Sequence, residues 1–141
     1  MSGFHLLDFS HIRLIMPLVV ELNKKDSYEV QQARLERMFS MSNYQCFGWF
    51  DGEELIGVSG GWITERLYSG KQLELDHVVV NPKLRSQGIG STFLAEIENW
   101  AKAHNYLTVE LNTYVRNAAS HKFYFDKGYQ ILGFHFQKKL S

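Results

Sequence analysis

The stretch from residue 75 to 93, Leu-Asp-His-Val-Val-Val-Asn-Pro-Lys-Leu-Arg-Ser-Gln-Gly-Ile-Gly-Ser-Thr-Phe, constrains this chain more than any other. Its β-branched run Val78-Val79-Val80 reads as a buried strand, and Asn81-Pro82 turns the chain. Gly88-Ile89-Gly90 then opens a helix. Arg85, Gly88 and Gly90 stand in the spacing Arg-x-x-Gly-x-Gly, and each has a physical role at a helix start. The glycines let an anion approach the backbone, the first-turn N–H groups and the helix dipole favour negative charge, and Arg85 adds a full positive charge. A ligand carrying a pyrophosphate is the expectation.

Two familiar phosphate loops do not fit. A P-loop needs Gly-x-x-x-x-Gly-Lys-Ser/Thr and a dinucleotide fingerprint needs Gly-x-Gly-x-x-Gly, whereas Gly88-Ile89-Gly90 is followed by Ser91, Thr92 and Phe93. The longer pattern Val-x-Val-x-Pro-x-x-Arg-x-x-Gly-x-Gly, filled by Val78, Val80, Pro82, Arg85, Gly88 and Gly90, resembles the acyl-CoA-binding motif of the GCN5-related N-acetyltransferase (GNAT) superfamily. Further on, Asn117-Ala118-Ala119-Ser120-His121-Lys122-Phe123-Tyr124-Phe125-Asp126-Lys127-Gly128-Tyr129 resembles that family's second motif, with Ser120 where alanine is common. The two motifs span residues 78–129.

Pattern reading supplies the other elements. A strand is expected over residues 4–7, then a helix capped by Ser10 and running to about residue 23, kinked at Pro17. A second helix is expected over residues 28–40, and strands over 45–50 and 55–63 flank the hairpin signal Asp51-Gly52. Gly60-Gly61 marks a bulge or a close backbone approach. Over residues 72–80, strict alternation places Leu73, Leu75, His77 and Val79 on one face and Glu74, Asp76, Val78 and Val80 on the other. Two carboxylates would then share a face with the motif valines. A helix over 88–104 and a strand over 106–113 imply a parallel pair joined by a crossover. A helix over 117–127, stopped by Gly128, and a last strand over 129–138 complete the chain. The fold class is α/β: a GNAT-like, mostly antiparallel mixed sheet with a central parallel pair, flanked by helices.

At 141 residues and 45% apolar composition, one domain with a real core is expected. Fifteen basic residues balance 15 acidic ones, so no field for nucleic acid or an anionic membrane arises. Cys46 is the single cysteine, which excludes an internal disulfide and suits a reducing compartment; with no leader-like start, the cytoplasm is expected. The six histidines lack metal-ligand spacing, so no metal is expected.

The resemblance implies an acetyl-CoA-dependent N-acetyltransferase acting by direct attack in a ternary complex on a primary amine of a small molecule. Protein or peptide acetylation, or CoA binding without catalysis, are the alternatives, and a homodimer is compatible with any of them. By resemblance, the backbone of Val78, Val79 and Val80 would hold the pantetheine and acetyl carbonyl. The backbone across Arg85, Ser86, Gln87, Gly88, Ile89, Gly90 and Ser91 would hold the pyrophosphate, and Asn117 would contact the CoA arm. Tyr124 would protonate the departing thiolate, and Asp76 or Glu74 would relay the amine proton. Trp49, Trp62 and Tyr68 are candidates to line an acceptor pocket, Cys46 reads as an inert buried thiol, and His77 reads as structural.

Overall fold

The structure, a computed structural model, describes residues 2–141 except for the side chains of Lys83, Arg85 and Ser86. It divides into two compact units, Met1–Glu110 and Leu111–Ser141. In the first, β1 (Gly3–Leu7) leads through a short 3-10 turn into α1 (Ile12–Val19), and α2 (Tyr28–Phe39) follows. Next come β2 (Tyr44–Asp51), β3 (Glu54–Arg66), β4 (Gly70–Val80), α3 (Ile89–Ala103) and β5 (Thr108–Leu111). The strands lie side by side in chain order, with β1 to β4 paired antiparallel. β5 runs parallel to β4 beyond the α3 crossover.

Local chemistry explains most boundaries. The Asp8 carboxylate accepts the Ser10 N–H at 2.9 Å, so the cap of the first helical segment is Asp8 and not Ser10. Aspartate at that point frees Ser10 to become part of the turn. α1 ends at Val19 with Pro17 inside its last turn, short of the helix expected to run to about residue 23. The Ser27 hydroxyl caps α2 by accepting from Val30 N–H at 3.2 Å. In the β2–β3 hairpin Asp51 pairs with Glu54, leaving Gly52 and Glu53 as the loop, with Gly52 at φ 60°.

Both faces of the sheet are covered. On one, Tyr44, Cys46, Phe50, Leu55, Val58 and Val79 join Ile12, Ile15, Met16, Leu18 and Leu35 from the first two helices in a single buried cluster. On the other, α3 buries Phe93, Leu94, Ile97 and Ala101. There Trp100 packs edge-on against Phe47 at 4.9 Å, and Phe93 lies over Gly57, where a Cβ would sit 3.3 Å from the ring. The absence of a side chain at Gly57 leaves room for the Phe93 ring against the sheet.

The alternation expected along β4 is broken by a bulge. Val79 pairs with Val58, and Asp76 pairs with Gly60, so three steps on β4 oppose two on β3. His77 and Val78 fall between the paired residues, and His77 takes a left-handed φ of 36°. Directly opposed residues share a face. Glu74, Asp76 and Val79 therefore lie on the helix-α1 side with Trp62, Gly60 and Val58, while Val80, Leu75 and Leu73 lie on the α3 side with Gly57, Gly61 and Ile63. His77 lies on the carboxylate side, its imidazole over Gly60. The expected partition of Val79, Val80 and His77 is thus corrected, because one inserted residue reverses the alternation beyond it.

In the second unit α4 (Ala118–Asp126) is capped by Asn117, whose side chain accepts from Ser120 N–H at 3.1 Å. Gly128 follows its end at φ 90°, the left-handed stop expected there. The strand expected over residues 129–138 is not formed. Alternating apolar residues confer strand propensity, but a strand exists only by pairing, and Ile131, Leu132, Phe134 and Phe136 stand exposed.

Candidate active site

Two features of the first unit have the character of a site. One is the start of α3. A short 3-10 segment, Pro82–Gln87, leads into Gly88, which takes φ 75° as the N-cap with no side-chain capping bond. A Cβ at Gly88 would meet nothing within 4 Å. The glycine therefore answers to backbone conformation, and among the described residues nothing fills the space at its Cβ position. The first-turn N–H groups of a helix lack intrahelical acceptors, so this end offers an ordered set of donors and a positive dipole end to an anion. Gln87, Gly88, Ile89, Gly90 and Ser91 lie at this end. The expectations for the side chains of Arg85 and Ser86 lie outside the described residues.

The second is a polar cluster on the carboxylate side of the β4 bulge. Asp76 accepts the His77 backbone N–H at 2.9 Å through Oδ1 and the Trp62 indole N–H at 3.1 Å through Oδ2. The same Oδ2 lies 3.5 Å from His77 Nδ1. The other ring nitrogen, Nε2, lies 2.9 Å from the Tyr44 hydroxyl. Tyr44 is itself wedged between Trp62, at 4.9 Å between centroids, and Phe39, at 5.2 Å. Gly60 makes the arrangement possible, since a Cβ there would come within 2.4 Å of the His77 ring and 2.7 Å of the Tyr44 hydroxyl.

Charge follows from these contacts. The hydrogen bonding and charge of His77 are the main cause that holds the Asp76 carboxyl at about 2, assisted by the Trp62 indole. Asp76 is therefore a carboxylate throughout the neutral range. Burial pushes the Tyr44 hydroxyl up, so it stays protonated. Burial also pushes the neighbouring Cys46 thiol up to about 12, in keeping with an inert cysteine. Toward the sheet end, Glu74 lies opposite Trp62. Beyond it the buried Gln72 amide, oriented to suit its partners, donates to Glu110 at 2.6 Å and accepts from Arg66 Nε at 2.9 Å. Those bonds tie β3, β4 and β5 together on the face that carries Glu74.

The structure brings Asp76, Glu74 and Trp62 together on one face, and places Trp49 on the other, 6.4 Å from the Phe93 ring. Tyr68 is exposed in the β3–β4 turn. In the second unit the Tyr124 side chain is mostly buried, packed against Phe123 at 5.2 Å and Tyr129 at 5.5 Å, and burial raises its hydroxyl so that it remains a donor. Asn117 spends its side-chain oxygen on the α4 cap. Sequence reading missed Tyr44 and the role of His77. Their signal is the Gly60-Gly61 pair, which marks room for a large side chain from a neighbouring strand.

Comparison with known proteins adds the family. The model of the acetyltransferase (GNAT) family matches residues 15–129. An aminoalkylphosphonate N-acetyltransferase of Salmonella typhimurium is 37% identical over 88 residues, 62% of this chain and 57% of that protein. The chain spans about half the length of the curated relatives it matches. Among solved structures, a putative acetyltransferase from Agrobacterium tumefaciens superposes with a TM-score of 0.82 at 19% identity, covering 97% of this chain and 99% of that one. An aminoglycoside N-acetyltransferase in complex with CoA superposes with a TM-score of 0.83 at 16% identity, covering 98% and 94%. Identities this low show a shared fold.

Proposed function

Because this chain belongs to the acetyltransferase (GNAT) family, we propose that it transfers an acetyl group from acetyl-CoA to a primary amine of a small molecule, by direct attack in a ternary complex. The observation that carries this reading is the open, glycine-capped start of α3. An end that no described side chain caps, with no described atom within 4 Å of a Cβ placed at Gly88, suits a pyrophosphate bound by backbone N–H groups. Gln87, Gly88, Ile89, Gly90 and Ser91 would supply that cradle, with Arg85 and Ser86 beside it in sequence. Val78, Val79 and Val80 would align the pantetheine and the acetyl carbonyl through their backbone. The bulge favours Val78 for this, since it falls between the residues that pair with β3.

The acceptor side follows from charge. An amine in water is mostly an ammonium, and the half-exposed carboxylate of Asp76, with Glu74 on the same face, attracts it to the bulge. Trp62 offers an aromatic surface there, suited to the alkyl part of a small amine or to the cation itself. Attack requires the neutral amine, so a proton must leave before or during bond formation. Tyr124, protonated by virtue of its burial, would donate to the departing thiolate, and Asn117 would steady the CoA arm. The Salmonella relative's name joins acetyl transfer to an aminoalkylphosphonate, which supports a small amine over a peptide.

Calorimetry with acetyl-CoA, followed by a turnover screen over aminoalkylphosphonates, aminoglycosides and short peptides, tests the proposal. Binding should raise the melting temperature, by about 2.7 kcal/mol of stability at a ligand concentration 100 times Kd. CoA release should depend on the added amine. Absence of both heat and melting shift at millimolar acetyl-CoA would remove the cofactor reading, and binding without turnover on any amine would leave a CoA-binding module.

A further inference from the structure

β5 is fastened to the sheet just short of the point where β4 becomes a free edge. At its approach the Leu107 N–H donates to the Lys71 carbonyl at 2.8 Å, and the Lys71 ammonium donates to the carbonyl of His104, the C-cap of α3, at 3.2 Å. The same ammonium lies 4.2 Å from the centre of the Tyr106 ring, so one side chain ties the end of α3 to the lead-in of β5. Parallel strands advance together at about 3.3 Å per residue, so Leu107 beside Lys71 brings Glu110 about level with Glu74. β5 ends at the next residue, Leu111, whereas β4 runs on to Val80. Residues 76–80 therefore extend past the end of β5.

Gln72 stands ahead of that parting. Its side chain is at 0% exposure and makes four hydrogen bonds. Glu110 Oε2 lies 2.6 Å from one end of its amide and Arg66 Nε 2.9 Å from the other, which leaves one chemically sound orientation. The nitrogen faces the carboxylate and the oxygen faces the guanidinium. Thr64 donates to the same oxygen at 3.1 Å, and the Ser69 hydroxyl accepts from the nitrogen at 3.0 Å. Thr108 adds a bond to the same Glu110 oxygen at 3.0 Å. The amide thus links a guanidinium on β3 to a carboxylate on β5, through two charge-assisted bonds aligned so that each polarises the other. An apolar side chain of the same volume would fill this space without choosing a position for β5. A buried amide bonded on every side chooses one.

Resting on the reading that the backbone of residues 78–80 aligns the pantetheine, we propose that the Gln72–Glu110 hydrogen bond fixes where β4 and β5 part, which makes Gln72 a positioning residue for the pantetheine arm. Fully buried, Gln72 is out of reach of cofactor and amine. It acts through β5. With that strand held against β4 up to Glu110, the β4 edge beyond it stays open to an extended chain that carries amides of its own. The pyrophosphate site lies elsewhere, at the start of α3. Loss of the pin should therefore loosen the hold on pantetheine and spare the hold on the pyrophosphate.

Calorimetry on the full chain with acetyl-CoA, and with the phospho-ADP fragment of CoA that carries the pyrophosphate without pantetheine, tests this. Gln72→Glu keeps the size of the side chain and the acceptors for Arg66 and Thr64, but sets a carboxylate against Glu110. Acetyl-CoA binding should weaken on the order of tenfold while binding of the fragment stays within about twofold of the parent. Combining Gln72→Glu with Glu110→Gln restores an N–H···O bond with donor and acceptor exchanged, and acetyl-CoA affinity should return. In turnover, Gln72→Glu should raise KM for acetyl-CoA more than it lowers kcat. A purely structural role would lower stability and weaken both ligands alike or neither; either result overturns the proposal, as does an exchange that fails to recover affinity. Should Gln72→Glu not fold, Glu110→Ala removes the β5 end of the pin alone and must show the same selective loss. A parent chain that binds neither ligand overturns the cofactor reading and this proposal with it, whereas a parent that binds both, with variants of unchanged selectivity, overturns the pin alone.

Discussion

Gly60→Ala is the most direct probe of the bulge. The added Cβ would stand 2.4 Å from His77 Cε1, 2.5 Å from Nε2 and 2.7 Å from the Tyr44 hydroxyl oxygen. Carbon atoms in contact sit at about 3.5 to 4.0 Å, so the imidazole must retreat by roughly 1 Å or more. It cannot do so freely, because the backbone N–H of His77 is tied to Asp76 and its ring to Tyr44. Overpacking of this kind costs about 1 to 3 kcal/mol, and loss of the Tyr44–His77 hydrogen bond adds about 1 kcal/mol. The total of roughly 2 to 4 kcal/mol is measurable by urea unfolding as a lower midpoint at unchanged slope. Acetyl-CoA affinity should hold, since the α3 start is not involved. A double-mutant cycle makes the cause specific: asparagine at position 77 has no Cε1 or Nε2, so Gly60→Ala should cost much less in the His77→Asn background. An unfolding midpoint for Gly60→Ala within error of the parent, or an equal cost in both backgrounds, would refute the geometry.

Other perturbations read separate parts of the molecule. Asp76 is held at about 2 in the folded chain against an ordinary 3.8; its contribution is therefore present above about pH 4 and lost as pH falls toward 2, and Asp76→Asn should flatten the acid side of an unfolding-versus-pH curve. Gly88→Ala should cost about 1 to 2 kcal/mol of stability because its φ of 75° disfavours a Cβ, and calorimetry should show weaker acetyl-CoA binding; unchanged stability would contradict the left-handed cap. Tyr124→Phe should lower turnover on the order of 100-fold with little change in acetyl-CoA affinity, and a normal rate with a chemistry-limited acceptor would reduce the hydroxyl to packing.

What the sequence revealed and what it hid follow from the range of the forces involved. Local signals read correctly: Asp51-Gly52 at the hairpin, the helix start at Gly88 and the stop at Gly128 each depend on backbone conformation within a few residues. Asp8 outcompeted Ser10 as a cap because two good capping side chains stand two positions apart, a choice settled by geometry. The β4 bulge was harder to see. Alternation assumes that every residue takes a pairing place, and the sequence around His77 contains no glycine to signal an insertion; its trace lies on the neighbouring strand, at Gly60. Tyr44 escaped for a related reason, since its partner His77 is distant in sequence and a tyrosine at a strand start reads as core. Over residues 129–138 apolar alternation overstated the case, because pairing depends on a neighbour that composition does not supply.

The single cysteine turns the sheet into its own clock. Cys46 lies at 0% exposure in β2, bonded through its strand to both β1 and β3, and its thiol is pushed up to about 12. A disulfide reagent in excess should therefore modify the protein only during excursions that peel the strands apart. When closing outpaces modification, the labelling rate divided by that of an unstructured thiol gives the opening equilibrium directly. One residue thereby reports, with no probe added to the chain, how often the sheet beneath His77 comes undone.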